Sequence, residues 1–420
     1  MNRFSLVQNL TRSISKVQIR SFQTSSTLLK APATVKKTRA FKKVSSNKVA
    51  VKGPGVEDFD ATNWPFKQLL NPAEAKPFDL ENVNAEGSIG SVFTLPKEYL
   101  NNFDINSVPK HLGKQLQLRS SNLILRPDFF NVQKLTEGEA KLPTIIDGES
   151  GSGKSALLLQ LAINAQQSEN TIVIYSPNTS KWINGSKGYK FDPKTEKFGQ
   201  FELTSELLKQ INTTNGETLK KIQLDADVAF GKVSVAKGSN LTQLLQVGIK
   251  DFELSHAVFT KFLDILSAQK DYKLLVLFDE VNVLYGNSAY FNPNNEVLKA
   301  NQSLLVTEFT NIIEGKRKLK NGAFVGSTSW LDGLHRSNEF GTFETKDHAS
   351  SAKQLVSLSG AKFNQYIPSF YSLEEAKTVA KLHKDVESYH EALDDQSIFK
   401  KFTMSHGNPR KFSEACSIKA

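Results

Sequence analysis

Cysteine is almost missing from this 420-residue chain. Cys416 stands alone, so no internal disulfide can form and no zinc site can rest on cysteines. The seven histidines are scattered without ligand spacing, which argues against a metal enzyme. Long apolar runs are absent as well. The longest aliphatic stretch lies within Leu274 to Phe278, far short of the roughly 20 residues that a membrane-crossing helix needs. No membrane insertion is expected. Acidic residues are missing from the whole N-terminal stretch, the first being Glu57.

What remains is the composition of a globular protein, 39% hydrophobic and 23% charged, long enough for one large domain with appendages. The formal net charge of +10 is unevenly placed. Twelve of the 53 basic residues precede Glu57, leaving 41 against 43 acidic residues, so the body beyond the tail is close to neutral at −2. Residues 1–22 read as a mitochondrial presequence. Leu6, Val7, Leu10, Ile14 and Val17 recur at helical spacing, with Arg12, Lys16 and Arg20 on the opposite side. Residues 23–60 form a basic extension of Lys, Ser, Thr, Ala and Val with little to build a core, and are expected to be disordered. Contact with RNA phosphates and a solvated linker are both open for it.

One motif in the body is specific. Pro-Thr-Ile-Ile-Asp leads into Gly148-Glu149-Ser150-Gly151-Ser152-Gly153-Lys154-Ser155, followed by Ala-Leu-Leu-Leu-Gln-Leu-Ala. Strand, glycine-rich turn and helix stand in the order of a P-loop. The three glycines permit the backbone dihedrals that gather N–H groups around a phosphate, and the helix aims its positive end at the same anion. Lys154 is placed for the β- and γ-phosphates, and the Ser155 hydroxyl for Mg²⁺. A second apolar run, Lys273 to Phe278, ends in Asp279-Glu280. Asp279 fits the carboxylate that holds Mg²⁺, and Glu280 is the candidate catalytic base. Thr171 to Ser176 and Ala323 to Ser329 supply further strands, the latter ending in hydroxyls that could face a γ-phosphate or close an ordinary turn.

The C-terminal part reads as helical. Ser372-Leu-Glu-Glu375 is a capping box opening a helix over Ala376 to Ala392. In His406-Gly407-Asn408-Pro409-Arg410, Asn408 can cap and Pro409 suits the first helical position. Arg410 then sits where positive charge is disfavoured, which an anionic ligand would explain. The guanine-reading segments Asn-Lys-x-Asp and Thr-Lys-x-Asp are absent, since Thr345-Lys346-Asp347 lacks the spacer. The base is therefore not legible in the motifs. No RNA-recognition, KH or zinc-finger pattern occurs.

Set in one frame, these stretches resemble the death-associated protein three family, P-loop proteins of the mitochondrial small ribosomal subunit. Leu95-Pro96, Leu125-Arg126-Pro127, Trp182, Gly238-Ser239-Asn240-Leu241, Gly248-Ile249 and Asp279 to Gly286 add to the likeness, which covers roughly residues 90 to 415. The resemblance implies an α/β P-loop NTPase core of AAA-like type at 141–340 with a mainly parallel sheet. It also implies a family-specific region at 61–140 packed on that core, and a helical C-terminal lid at 341–420. It implies a structural constituent of the small subunit in the mitochondrial matrix, supporting mitochondrial translation. Its expected partners are small-subunit proteins, ribosomal RNA and, across the intersubunit face, the large subunit. The implied cofactors are GTP or GDP, with ATP open, and Mg²⁺. Gly148 to Ser155 and Asp279 would carry the nucleotide and metal, Arg410 would join them, and turnover would be slow at most. The competing expectation is an active matrix AAA-like ATPase that remodels nucleic acid or protein, with Glu280, Ser327 and Arg410 as its hydrolytic set and Arg317 or Arg336 acting across a ring.

Overall fold

Strands that are apolar along their whole length can be stable only where both faces of the sheet are covered. The computed structural model describes residues 75–103, 108–137, 142–329, 362–389 and 391–417. The presequence, the basic extension and Arg336 lie outside them. A small sheet comes first, made of β1 (Lys76–Pro77), β2 (Val92–Thr94) and β3 (Asn122–Ile124). Interleaved with it are α1 (Leu80–Asn84), α2 (Lys97–Asn102) and α3 (Lys110–Leu118), and α4 (Pro127–Leu135) follows. The central sheet comprises β4 (Thr144–Ile146), β5 (Thr171–Ser176), β6 (Lys273–Phe278), β7 (Gly322–Ser327) and β8 (Asn364–Tyr366). Their spatial order is β8-β4-β7-β6-β5, and each neighbouring pair is parallel. The chain thus has a mixed α/β fold around a parallel sheet.

Strand alternation sorts the core into two layers. Ile172, Ile174, Leu274, Val276, Phe278 and Phe324 face the side covered by α6 (Phe201–Lys221), α7 (Leu241–Lys250), α8 (Ser255–Ala268) and α9 (Leu304–Ile313). Val173, Tyr175, Leu275, Leu277, Ala323 and Val325 face the opposite side, against α5 (Lys154–Gln166). Residues of the N-terminal region, Phe78, Phe93 and Phe129 among them, complete that second layer. The β6 strand is the keystone, because it pairs on both edges and is covered on both faces.

A third apolar cluster holds the C-terminal helices α10 (Leu373–Asp385), α11 (Asp395–Ser405) and α12 (Pro409–Ser417), and it reaches Ile124 of β3. The Ser372 capping box forms as expected: Ser372 Oγ accepts from the Glu375 N–H at 3.2 Å, and Glu375 Oε2 accepts from the Ser372 N–H at 2.8 Å. The helix is shorter than its pattern predicts, ending at Asp385 instead of Ala392. Glu387 takes a left-handed φ of 56° and the Ser388 and Tyr389 N–H groups both turn back to the His383 carbonyl, closing the helix end.

Phe278 meets Trp182, Phe309 and Phe324 at ring-centroid distances of 5.1, 4.5 and 5.6 Å. Phe278→Ala is expected to cost about 3–5 kcal/mol, the usual loss for a truncated core aromatic. Urea denaturation measures it, and a loss below about 1 kcal/mol would show that the sheet does not depend on this packing.

Candidate functional site

The glycine-rich loop leaves the end of β4 and enters α5, so it sits at the C-terminal edge of the sheet, where the ends of β6 and β7 also arrive. Gly148, Gly151 and Gly153 have φ values of 128°, 90° and 101°, a region in which a side chain is strained. Gly153 caps α5 without any side-chain hydrogen bond, so the first N–H groups of this 13-residue helix are not taken by a cap. That is the local geometry of an anion site.

The charged groups of the loop are buried together. Lys154 Nζ donates to the carbonyls of Gly148 and Glu149 at 2.8 and 2.9 Å. Burial lowers its pKa, while the nearby Asp279 and Asp147 carboxylates push it back up. Asp279 is fully buried; desolvation raises its pKa, against the opposing pull of the Ser155 and Ser327 hydroxyls, the Lys154 ammonium and the Glu280 N–H. The Ser327 hydroxyl and the Glu280 N–H donate to Asp279 Oδ1, the latter at 3.0 Å. Asp279 Oδ2 has no hydrogen-bond partner among the described residues. An orphaned buried carboxylate oxygen beside the Ser155 hydroxyl suits a hard cation that takes few protein ligands and keeps waters and phosphates for the rest.

The C-terminal helices close onto the same loop. The N–H of Arg410 donates to the Gly151 carbonyl at 3.1 Å, and its guanidinium donates to Ser150 Oγ at 3.2 Å. Asn408 Nδ2 donates to the Ser150 carbonyl at 3.0 Å, while its Oδ1 caps α12 through the Arg410 and Lys411 N–H groups. Lys411 pairs with Glu149 at 2.8 Å. Lys154, Ser155, Leu157, Asp279, Tyr371 and Arg410 all line one cavity.

With this geometry in place, the family comparison becomes informative. Residues 129–415 match the family model described as mitochondrial ribosomal death-associated protein 3. The chain belongs to this family. It is also similar to the small ribosomal subunit protein mS29 of Schizosaccharomyces pombe (strain 972 / ATCC 24843), with 22% identity over 362 residues that cover 83% of this chain and 75% of that protein.

The sites expected from the sequence do not all converge. Loop residues, Asp279 and Arg410 come together; Ser152 is buried, its hydroxyl without a partner among the described residues. Glu280 points elsewhere: held at a left-handed φ of 62°, its carboxylate accepts from the Ser180 hydroxyl at 2.5 Å and the Ser180 N–H at 3.2 Å. Arg317 pairs with Glu308 and Asp264 instead of standing free. Two features were not read from the sequence. Asp147 accepts from the Thr328 hydroxyl at 2.5 Å, across 181 positions of chain. Arg126 bridges Asp128 and Glu375 at 3.1 and 3.3 Å and donates to the Ser369 and Phe370 carbonyls. Its only sequence signal was its place before Pro127.

Two outcomes are expected here. In Gly151→Ala the new methyl meets Asn408 Oδ1 at 2.6 Å and Arg410 Cβ at 2.7 Å. The backbone term alone is about 1–2 kcal/mol, and limited proteolysis should release the C-terminal helices; parental resistance would contradict the contact. Asp279→Asn should raise the melting temperature at neutral pH. A folded carboxyl with a raised pKa keeps its proton longer than the unfolded one, so its contribution to stability falls as pH rises above about 4. The advantage of the variant should shrink on acidification, and a pH-independent difference would rule out this cause.

Proposed function

We propose that this protein is a structural constituent of the mitochondrial small ribosomal subunit, with a P-loop core of AAA-like type and a helical lid clamped on a purine nucleotide, GTP or GDP, with ATP open. One observation carries the nucleotide assignment: the glycine-rich loop, the buried Lys154–Asp279 pair and the start of α12 converge on one cavity. Family membership and the likeness to a protein named as a small ribosomal subunit protein support the ribosomal role and a matrix location. Small-subunit proteins, ribosomal RNA and the large subunit across the intersubunit face are the proposed partners.

In this assignment Gly148 to Ser155 surround the phosphates with N–H groups, and Lys154 turns from the Gly148 and Glu149 carbonyls toward them. Ser155 and Asp279 hold Mg²⁺, which screens the phosphate charge when bound. Arg410 adds positive charge from the lid and ties it to the loop. The engagement of Glu280 by Ser180 supports slow or absent hydrolysis, because a base must reach the attacking water. It also weighs against an active remodelling ATPase.

Sedimentation of the tagged protein from a mitochondrial lysate through a magnesium-containing gradient tests this. Comigration with the small subunit is expected, and Lys154→Ala should lower both bound nucleotide, by at least about tenfold for a lost charge-assisted contact, and comigration. A free monomer or ring-sized oligomer would refute the ribosomal role. Glu280→Gln should leave respiratory growth nearly unchanged, and a severe defect would favour a working ATPase.

A further inference from the structure

All strands of the central sheet are parallel, so they begin at one edge, opposite the edge that carries the glycine-rich loop. That far edge is rich in cations. Lys270 lies in the loop before β6, Lys316, Lys318 and Lys320 in the loop before β7, and Lys362 two residues before β8. All five are exposed. With Lys273 and Arg317 they make seven cations in the described loops and strand starts of this edge, against the four carboxylates Glu137, Glu169, Asp271 and Glu314. The excess is local, because the body beyond the N-terminal tail has a net charge of −2. Lys316 pairs with Glu314 at 2.5 Å, whereas Lys270, Lys318, Lys320 and Lys362 form no ion pair among the described residues.

The backbone that presents these lysines is fixed. Arg317 turns inward, pairing with Asp264 and, at 2.6 Å, with Glu308. Leu319 packs against the core, so exposure alternates from Lys316 to Lys320 with the three lysines outward. The Lys320 N–H donates to the Ser267 carbonyl at 3.0 Å, and Asn321 Nδ2 donates to the Lys270 carbonyl at 2.7 Å. Those two bonds tie the loop before β7 to the loop before β6, and lysines on an ordered backbone lose less freedom on binding. Helix ends explain only part of the charge. The negative dipole ends of α8 and α9 lie here. Their Ser267 and Asn311 carbonyls, however, already accept from the Lys320 and Arg317 N–H groups, and Lys320 and Lys362 adjoin strand starts.

Building on the ribosomal reading, we propose that this edge is where the folded body holds RNA, through Lys270, Lys318, Lys320 and Lys362 on backbone phosphates and without reading sequence. Ammonium groups on long stems are point charges that suit phosphates. The forked geometry that reads a base edge is not on offer, because Arg317 is bound to Glu308 and Asp264. An acidic protein is the other polyanion to weigh. Apart from Leu142, no large apolar side chain is exposed in these described loops, so the edge lacks the anchor on which protein partners close. Asp279 stands six residues beyond Lys273, about 20 Å along β6 at 3.3 Å per residue. RNA and nucleotide therefore occupy opposite edges of one sheet.

The test is fluorescence anisotropy of a short, mixed-sequence single-stranded RNA titrated with the purified full chain over a range of salt concentrations. The same titration is run on a variant combining Lys270→Ala, Lys318→Ala, Lys320→Ala and Lys362→Ala. A control variant changes four exposed lysines elsewhere, Lys190, Lys194, Lys232 and Lys237, to alanine. The edge variant should flatten the slope of log K against log salt by about 2–3, at about 0.7 per lost phosphate contact, and weaken binding at least about tenfold near about 0.1 M salt. The control should flatten it by less than about 1, and a second RNA sequence should give the same values. An unchanged slope in the edge variant would assign RNA binding to the basic extension and overturn the proposal. Equal loss in the control, or no RNA binding by the parent, would overturn it as well. So would displacement of the RNA by polyglutamate at matched charge, which would make the edge a surface for an acidic protein. The readout uses purified protein, so it is decided apart from comigration with the small subunit, which tests the ribosomal reading. Should the fourfold variant misfold, Lys318→Ala with Lys320→Ala, expected to flatten the slope by about 1.4, decides alone.

Discussion

The contact between the Gly151 carbonyl and the Arg410 N–H is the hinge on which the site depends. It can form only because Gly151 has no side chain and adopts a φ of 90°; a methyl there would occupy the space of Asn408 and Arg410. Through it the last helix of the chain touches the first loop of the sheet, and the cavity acquires a wall from each. Without it Arg410 would be a solvated arginine at an unfavourable helix end.

The proposed nucleotide would meet two buried charged groups in this arrangement. Lys154 and Asp279 are both buried; Lys154 Nζ is held by two carbonyls, whereas Asp279 Oδ2 has no hydrogen-bond partner among the described residues. A protein selected only for stability would replace such a pair with apolar residues. The polar cost is carried by the two-layer core around β6, whose strands are apolar on both faces. Glu280 shows the opposite choice: it lies next to Asp279 in sequence yet is bound to Ser180, so the acid best placed by sequence for catalysis is tied away from the cavity.

Much of this was legible in the sequence because its signals are local. The apolar runs at Thr171–Ser176 and Lys273–Phe278 read as buried strands, and the glycine spacing from Gly148 to Gly153 reads as a loop between strand and helix. The Ser372 box and the Asn408-Pro409 cap were readable for the same reason. What was not legible is set by partners far apart in the chain. Asp147 with Thr328, Arg119 with His383 and Arg126 with Glu375 join residues 181, 264 and 249 positions apart, and nothing near either partner announces the other. The early end of α10 belongs here too, since the sequence keeps an amphipathic pattern through 386–392 while the left-handed Glu387 and the return of the Ser388 and Tyr389 N–H groups to the His383 carbonyl close the helix at Asp385.

The central claim is that one nucleotide joins the loop and the C-terminal helices into a single unit. Hydrogen exchange of the purified full chain, with and without magnesium and GDP, measures it most directly. The account predicts that residues 148–155 and 409–417 gain protection together and at the same nucleotide concentration. Protection confined to the loop, or absent from both segments, would contradict it.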